Sequence, residues 1–346
     1  MTSRERLLVA LRGGAPDRVP VAPFGMGRIH PETDLGRELI RSTDIFIDVW
    51  GGGAPFLGSA AVVRQHEDGD TVTVVYETPK GDLTRRIRRT PVTSATVEFP
   101  FKTLDDVERF LSIPFVPSAI DLSAYRAWRE RIGDEGFVMI GLGNAVCLPA
   151  EWFSPEAFAL AWADAPDLLC DLVRTAAERL EAYVERLCAM GAEGFRIVGG
   201  EYVTVQLGPR AFDALITPHD RRLCDLIRRH GAIAYYHNHG PVCRYLPRLA
   251  DLGMDALDPL EAPPWGDAAD LADVRAIVGD RLCLVGNLDD MEALESLPTA
   301  AVLEIARERL RQGGSTAFVL GGTASGTYTE AGARNFIAMA RMVASL

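Results

Sequence analysis

The sequence predicts an α/β protein: a single (β/α)8 TIM barrel with an inserted β-hairpin after its second strand. Three observations support that class. Eight short runs rich in β-branched and aromatic residues recur along the 346 residues. From the second third of the chain onward each run is followed by a helical pattern, and a 48% hydrophobic composition can fill the core such a barrel needs. A doubly wound sheet is the alternative, but it normally carries a glycine-rich phosphate loop after an early strand. "GGG" at 51–53 lacks that spacing.

In chain order, the opening "MTSRERLLVALRGG" is charged and amphipathic, without the unbroken apolar core of a signal peptide. No apolar stretch reaches the ~18 residues of a membrane span, so a cytoplasmic protein is expected. The candidate strands are 19–25, 45–50, 137–143, 194–200, 232–238, 254–261, 282–288 and 317–322; the candidate helices are 155–189, 210–229, 242–252, 268–277, 299–312 and 330–345. Residues 60–100 break the rhythm. There "TVTVVYETPKGDLTRRIRRT" alternates like two strands about the turn "TPKGD", which reads as a hairpin decorating one barrel domain over 1–346.

The formal charge of −12 and a pI near 5.1 argue against a nucleic-acid or acidic-membrane surface. The cluster Arg85, Arg86, Arg88 and Arg89 reads as a solvated hairpin strand. Six cysteines are scattered without CxxC spacing, as expected of reduced, mostly buried thiols.

Barrel enzymes place their chemistry at the C-terminal ends of the strands. Met26 and Arg28 follow the first run, Glu201 and Tyr202 the fourth, and His237, Asn238 and His239 the fifth; Asp258 and Glu261 close the sixth, Asn287, Asp289 and Asp290 the seventh, Thr323 and Ser325 the eighth. In an extended strand positions i and i+2 share a side, so His237 and His239 in "AYYHNHG" project together. With Glu201 from the neighbouring strand they form a candidate three-ligand metal site; as ordinary hydrogen-bonding residues they would only hold the rim. Arg28 suits a substrate carboxylate, or an ion pair with an acid such as Asp48. Asp258, Glu261, Asp289 and Asp290 read as helix caps or loop anchors, whereas Asn287 can offer a donor and an acceptor to the site. Cys147 and Cys243 read as structural thiols.

Several stretches resemble the uroporphyrinogen decarboxylase superfamily: "ERLLVALRGGAPDRVPVAP", "MGRIHPE", "DLGMDALDPLE", "GDAADLADVRAIVGDRLCLVGNLD" and "GTYTEAGARNFIAM". The resemblance implies a TIM barrel and two chemical classes, cofactor-free decarboxylases and zinc-dependent methyltransferases that exchange methyl groups with a corrinoid protein. Of the two arginines that bind substrate acetates in the decarboxylases, Arg28 is kept and the other position falls at Phe24. Their Asp-Ser pair falls at Glu201 and Tyr202, and their late histidine at Ser325. The His-x-Cys pair of the methyltransferases falls at His237-x-His239, and their late cysteine also at Ser325. A substrate with eight carboxylates would meet too little positive charge here.

The resulting expectation is a metal-dependent methyltransferase or demethylase component, with Glu201, His237 and Tyr202 catalytic and with Arg28, Met26, Asn287 and Ser325 contacting a small-molecule substrate. His237, His239 and Glu201 would hold a divalent metal, zinc first, and a separate corrinoid protein would be the partner; a homodimer is compatible with this. A cofactor-free decarboxylase of a small carboxylated metabolite or porphyrinogen is the alternative, and a non-catalytic ligand-binding barrel a third.

Overall fold

A computed structural model describes residues 1–91, 93–323 and 327–346. Its strands are β1 (Val21–Ala22), β2 (Ile45–Trp50), β3 (Val62–Asp68), β4 (Thr71–Glu77), β5 (Leu83–Arg89), β6 (Ser94–Glu98), β7 (Gly136–Gly143), β8 (Gly194–Val198), β9 (Ile233–His237), β10 (Ala256–Asp258), β11 (Cys283–Leu288) and β12 (Phe318–Gly322). Eight of them, one from each apolar run, form a parallel sheet in the order β1-β12-β11-β10-β9-β8-β7-β2. The sheet curls until its ends meet: Gly25 N–H donates to the Phe46 carbonyl (2.7 Å), Phe46 N–H to Pro23 (3.0 Å) and Asp44 N–H to Val21 (2.8 Å). Helices alternate with these strands, and the result is the (β/α)8 architecture expected.

Asp44 reinforces that seam. Its carboxylate, wholly buried, accepts from Arg6 (2.6 Å), Arg18 (2.8 Å) and the Val21 N–H (3.0 Å), so the helix Ser3–Leu11, the "DRVPV" turn and β1 are tied to the start of β2. Two guanidiniums around one carboxylate leave no buried charge unpaired.

Side-chain alternation sorts each strand into an outer and an inner face. Ile45, Ile47, Val138, Ile140, Phe195, Ile197, Ala234 and Tyr236 face the helices in the larger apolar cluster, whereas Ala22, Phe24, Phe46, Phe137, Met139, Ile233, Tyr235, Ala256, Cys283, Val285 and Val319 fill the lumen. Leu7, Ala10 and Leu11 of the first helix belong to the lumen cluster and plug its lower end. Phe24, Phe46 and Tyr235 form an aromatic layer near the top, their centroids 5.4–6.1 Å apart.

Two expectations change in detail. The 60–100 insertion is a four-stranded antiparallel meander, β3-β4-β5-β6, and the expected hairpin is its central pair. Of the arginine cluster on β5, Arg86 pairs with Glu98, Arg88 with Asp70 in the β3–β4 turn and Arg89 with Glu67, while Arg85 donates to the Thr96 hydroxyl. The helical stretch 155–189 is two helices, Pro155–Asp164 and Pro166–Ala189, broken at Ala165 because a residue preceding proline is pushed out of helical geometry. No helix among the described residues is long and apolar enough to cross a membrane.

Candidate functional site

The inward positions of each strand run upward from the packed lumen to the rim. On β9, Ile233 and Tyr235 are lumen residues, so His237 continues the same face; on β2, Phe46 leads to Asp48; on β10, Ala256 leads to Asp258; on β11, Val285 leads to Asn287. On β8, Phe195 and Ile197 face outward, which turns Arg196 inward. Chain periodicity therefore delivers an imidazole, two carboxylates, an amide and a guanidinium to one end of the barrel.

His237 and His239 do come together, with ring centroids 4.3 Å apart and planes at 89°. Each is braced by a carboxylate: His237 Nδ1 lies 2.9 Å from Asp258 Oδ1, and His239 Nδ1 3.0 Å from Glu261 Oε1. Glu261 Oε2 also accepts from Gly240 N–H at 2.7 Å, fixing the carboxylate across the turn that carries His239. The Glu261 hydrogen bond raises the His239 imidazole above its ordinary value, against the opposing effect of burial. Burial works to raise the Glu261 carboxyl, but the bonds from His239 and Gly240 outweigh it and hold it below its ordinary value. Both acids were expected to cap helices or fix loops; the structure makes them the supports of the imidazole pair. Asp289 does cap, accepting from Met291 and Glu292 N–H.

Arg196 is a site residue that the sequence reading passed over. Its guanidinium carbon stacks 4.3 Å above the Phe24 ring, Nη2 lies 3.0 Å from His237 Nδ1, and Nη1 lies 3.6 Å from Asp48 Oδ2. Its Nε is buried with no hydrogen-bond partner among the described residues. One nitrogen cannot donate to Asp258 and accept from Arg196 at once, so whenever His237 Nδ1 carries the proton the guanidinium N–H aimed at it lacks an acceptor. A cavity of about 300 Å³ opens beside Arg196, lined also by Asp48, Trp50, Gly141 and Gly143.

The other expected residues are placed less centrally. Gly199, at φ +116°, bends the chain after β8, and Glu201 starts a short helix with its carboxylate accepting from Gly199 N–H at 3.2 Å. It contributes negative charge near His239 without joining the pair. Tyr202 is half-buried; burial first, then Cys147, Glu151 and Glu201, push its hydroxyl up. Arg28 is exposed and makes no ion pair with Asp48, whose cationic partner is Arg196; the Arg28 backbone N–H donates to the Tyr328 carbonyl. Met26 packs against the outer core. Asn287 spends its amide on the Leu260 (2.7 Å) and Ala268 (3.3 Å) carbonyls, tying down the loop after β10, while its buried Oδ1 has no partner among the described residues. Ser325 lies outside the described residues. Cys147 is buried and its thiol raised well above the ordinary value by burial, as suits a structural residue.

A catalytic divalent metal takes three protein ligands. Among the described residues no three His, Cys, Asp or Glu side chains are grouped to hold one, because Glu201 turns to Gly199 and the acids nearest the imidazoles bond their Nδ1 atoms. The expected set His237, His239 and Glu201 is therefore present as two legs, and the described donors do not fit a resident metal.

The fold and the strand ends thus define a closed parallel α/β barrel with a braced imidazole pair and a guanidinium at its mouth. A family model described as uroporphyrinogen decarboxylase (URO-D) matches residues 91–346, and the chain belongs to that family. A uroporphyrinogen decarboxylase from Gloeobacter violaceus is 26% identical over 205 residues; the match spans 56% of this chain and only 56% of that relative's length. Among solved structures, a methyltransferase from Methanosarcina mazei superposes over 99% of both chains with a TM-score of 0.67 at 17% identity, which shows a shared fold.

Proposed function

We propose that this chain is a methyl-transferring enzyme of the family that takes a small carboxylate-bearing methyl donor at the barrel mouth. The observation that carries the reading is the pair His237 and His239, each with a carboxylate behind Nδ1. In His239 that bond leaves Nε2 as the free nitrogen, turned from the carboxylate and able to take a proton. Methyl transfer can use such a group. An electron pair of the acceptor forms the new bond to the methyl carbon, the bond from methyl to the donor heteroatom breaks with its pair kept by the donor, and the protonated imidazole gives its proton to that departing heteroatom. The full-length likeness to a methyltransferase supports this reading. A separate corrinoid protein is the acceptor we assign, with a thiol as the alternative.

Decarboxylation of a small carboxylated metabolite is the second reading, favoured by the neighbouring positions of Arg196 and His237. The guanidinium would hold the carboxylate, and the imidazole would return one proton to the carbanion left when CO2 departs. The two readings separate in one experiment. The purified chain is incubated with methoxyacetate, S-methylthioacetate or glycine betaine, with cob(I)alamin as methyl acceptor, and both methylcobalamin and CO2 are followed. Methylcobalamin formation supports the first reading; CO2 release without it establishes the second.

A further inference from the structure

We propose that the cavity at the ends of β2, β7 and β8 is built for a small betaine, a carboxylate joined to a fully methylated ammonium. Arg196 takes the carboxylate, and the ammonium lies between Asp48 and the indole of Trp50. The proposal rests on the methyl-transfer reading and gives its donor a chemical class.

The cavity presents both signs of charge side by side. Arg196 Nη1 and Asp48 Oδ2 stand 3.6 Å apart, too far for a good hydrogen bond, and among the described residues the buried Arg196 Nε has no partner. A guanidinium held flat on Phe24, with an unused N–H and another aimed at an already bonded nitrogen, is preorganised for a planar two-oxygen anion. A plain carboxylate entering here would also meet the Asp48 charge, and a plain ammonium would meet Arg196. A ligand carrying both charges satisfies both residues.

The remaining walls select the kind of cation. Trp50 is 53% exposed although it ends a strand at the barrel mouth, and it lines the cavity together with apolar Val198. Aromatic and apolar walls beside a carboxylate suit a methylated ammonium, which sheds little hydration, better than a primary one, which would have to exchange its water for hydrogen bonds these walls lack. Gly141 keeps the space open: a Cβ there would sit 3.1 Å from the Asp48 carboxylate. At about 300 Å³ the space lies at the small end of ligand sites, enough for a compact zwitterion.

The test is calorimetric titration of the full chain with glycine betaine, and separately with acetate, tetramethylammonium and glycine. Betaine should bind about tenfold or more tighter than each of the three, because only it meets the guanidinium, the carboxylate and the indole together. Arg196→Gln should remove that advantage, and Arg196→Lys should restore part of it. Trp50→Leu should cut the preference for betaine over glycine several-fold with no change in melting temperature, which keeps the proposal testable should the Arg196 variants fold poorly. Betaine binding no tighter than acetate or tetramethylammonium, or indifference to Trp50→Leu, overturns the proposal. Selective betaine binding that yields no methylcobalamin would refute the methyl-transfer reading while leaving this site standing.

Discussion

Asp220 offers a quantitative test of how the strand ends are held. It lies on the helix Thr217–Arg229 and is 1% exposed; its Oδ2 accepts from the Tyr236 hydroxyl at 2.6 Å and from Asn144 Nδ2 at 2.8 Å. Tyr236 on β9 directly precedes His237, and Asn144 directly follows β7, so this carboxylate ties together the two strands that flank β8 just beneath the rim. Burial raises the carboxyl from 3.8 to about 6, with the Tyr236 and Asn144 bonds working against the rise. An acid whose folded value is raised binds its proton more tightly in the folded chain. Its contribution is most favourable below pH 4 and is lost as pH climbs through 6. The full difference is about 3 kcal/mol, at roughly 1.4 kcal/mol per pH unit, and about 1.4 kcal/mol of it falls between pH 5 and 7.5. Asp220→Asn removes the titration and keeps the volume. Urea midpoints of both proteins at pH 5 and pH 7.5 should show the variant gaining on the wild type by about 1.4 kcal/mol at the higher pH. A difference between the two proteins that does not change with pH would refute the assignment of a buried, titrating Asp220.

Three further outcomes are expected. Glu261→Gln loosens the His239 ring and weakens its affinity for a proton, so turnover in the methylcobalamin assay should fall about 10- to 100-fold with an unchanged melting temperature; turnover within twofold of wild type would deny the brace its role. Treatment with EDTA should leave activity intact, and added zinc should bind loosely enough for a weak colorimetric chelator to remove it, because two imidazoles without a third protein ligand make a poor site; a metal retained stoichiometrically through dialysis against EDTA would refute that. Asp44→Asn should cost about 3–5 kcal/mol in denaturant unfolding, since Arg6 and Arg18 lose the charge they share at the barrel seam; a loss below 1 kcal/mol would mean the seam holds without it.

The barrel was legible because both faces of each strand are buried, one by lumen and one by helices, so each strand prints as a short apolar run. The edges of the insertion were not: β3 is exposed along its whole length, and "VVRQHED" shows no buried face for a pattern to mark. The imidazole pair was legible from i, i+2 spacing. Its carboxylate supports were not, since Asp258 and Glu261 sit before stretches that look like helix starts, and only the register of β9 beside β10, which places Asp258 against His237, shows what they face. Glu201 misled for the converse reason, because being next to the end of β8 said nothing of the turn at Gly199 that redirects it.

Arg196 could have been found. In "GFRIVGG" a guanidinium stands between Phe195 and Ile197, both fully buried on the helix side of the sheet. Alternation then leaves Arg196 one direction, into the barrel, where an ionised group is tolerable only near the rim and only with partners. A single charged residue two places before the end of an otherwise apolar barrel strand is thus a statement about the site: it must reach the mouth and meet an anion there. In this chain the resident anion is Asp48 at 3.6 Å, and Asp48 stands at the matching inward place on β2, two residues before Trp50. Charges of opposite sign on strands separated by the glycine-bearing β7 leave a gap between them at the height where the lumen packing ends. That gap, more than the histidines alone, is what gives the rim a place for a ligand to sit.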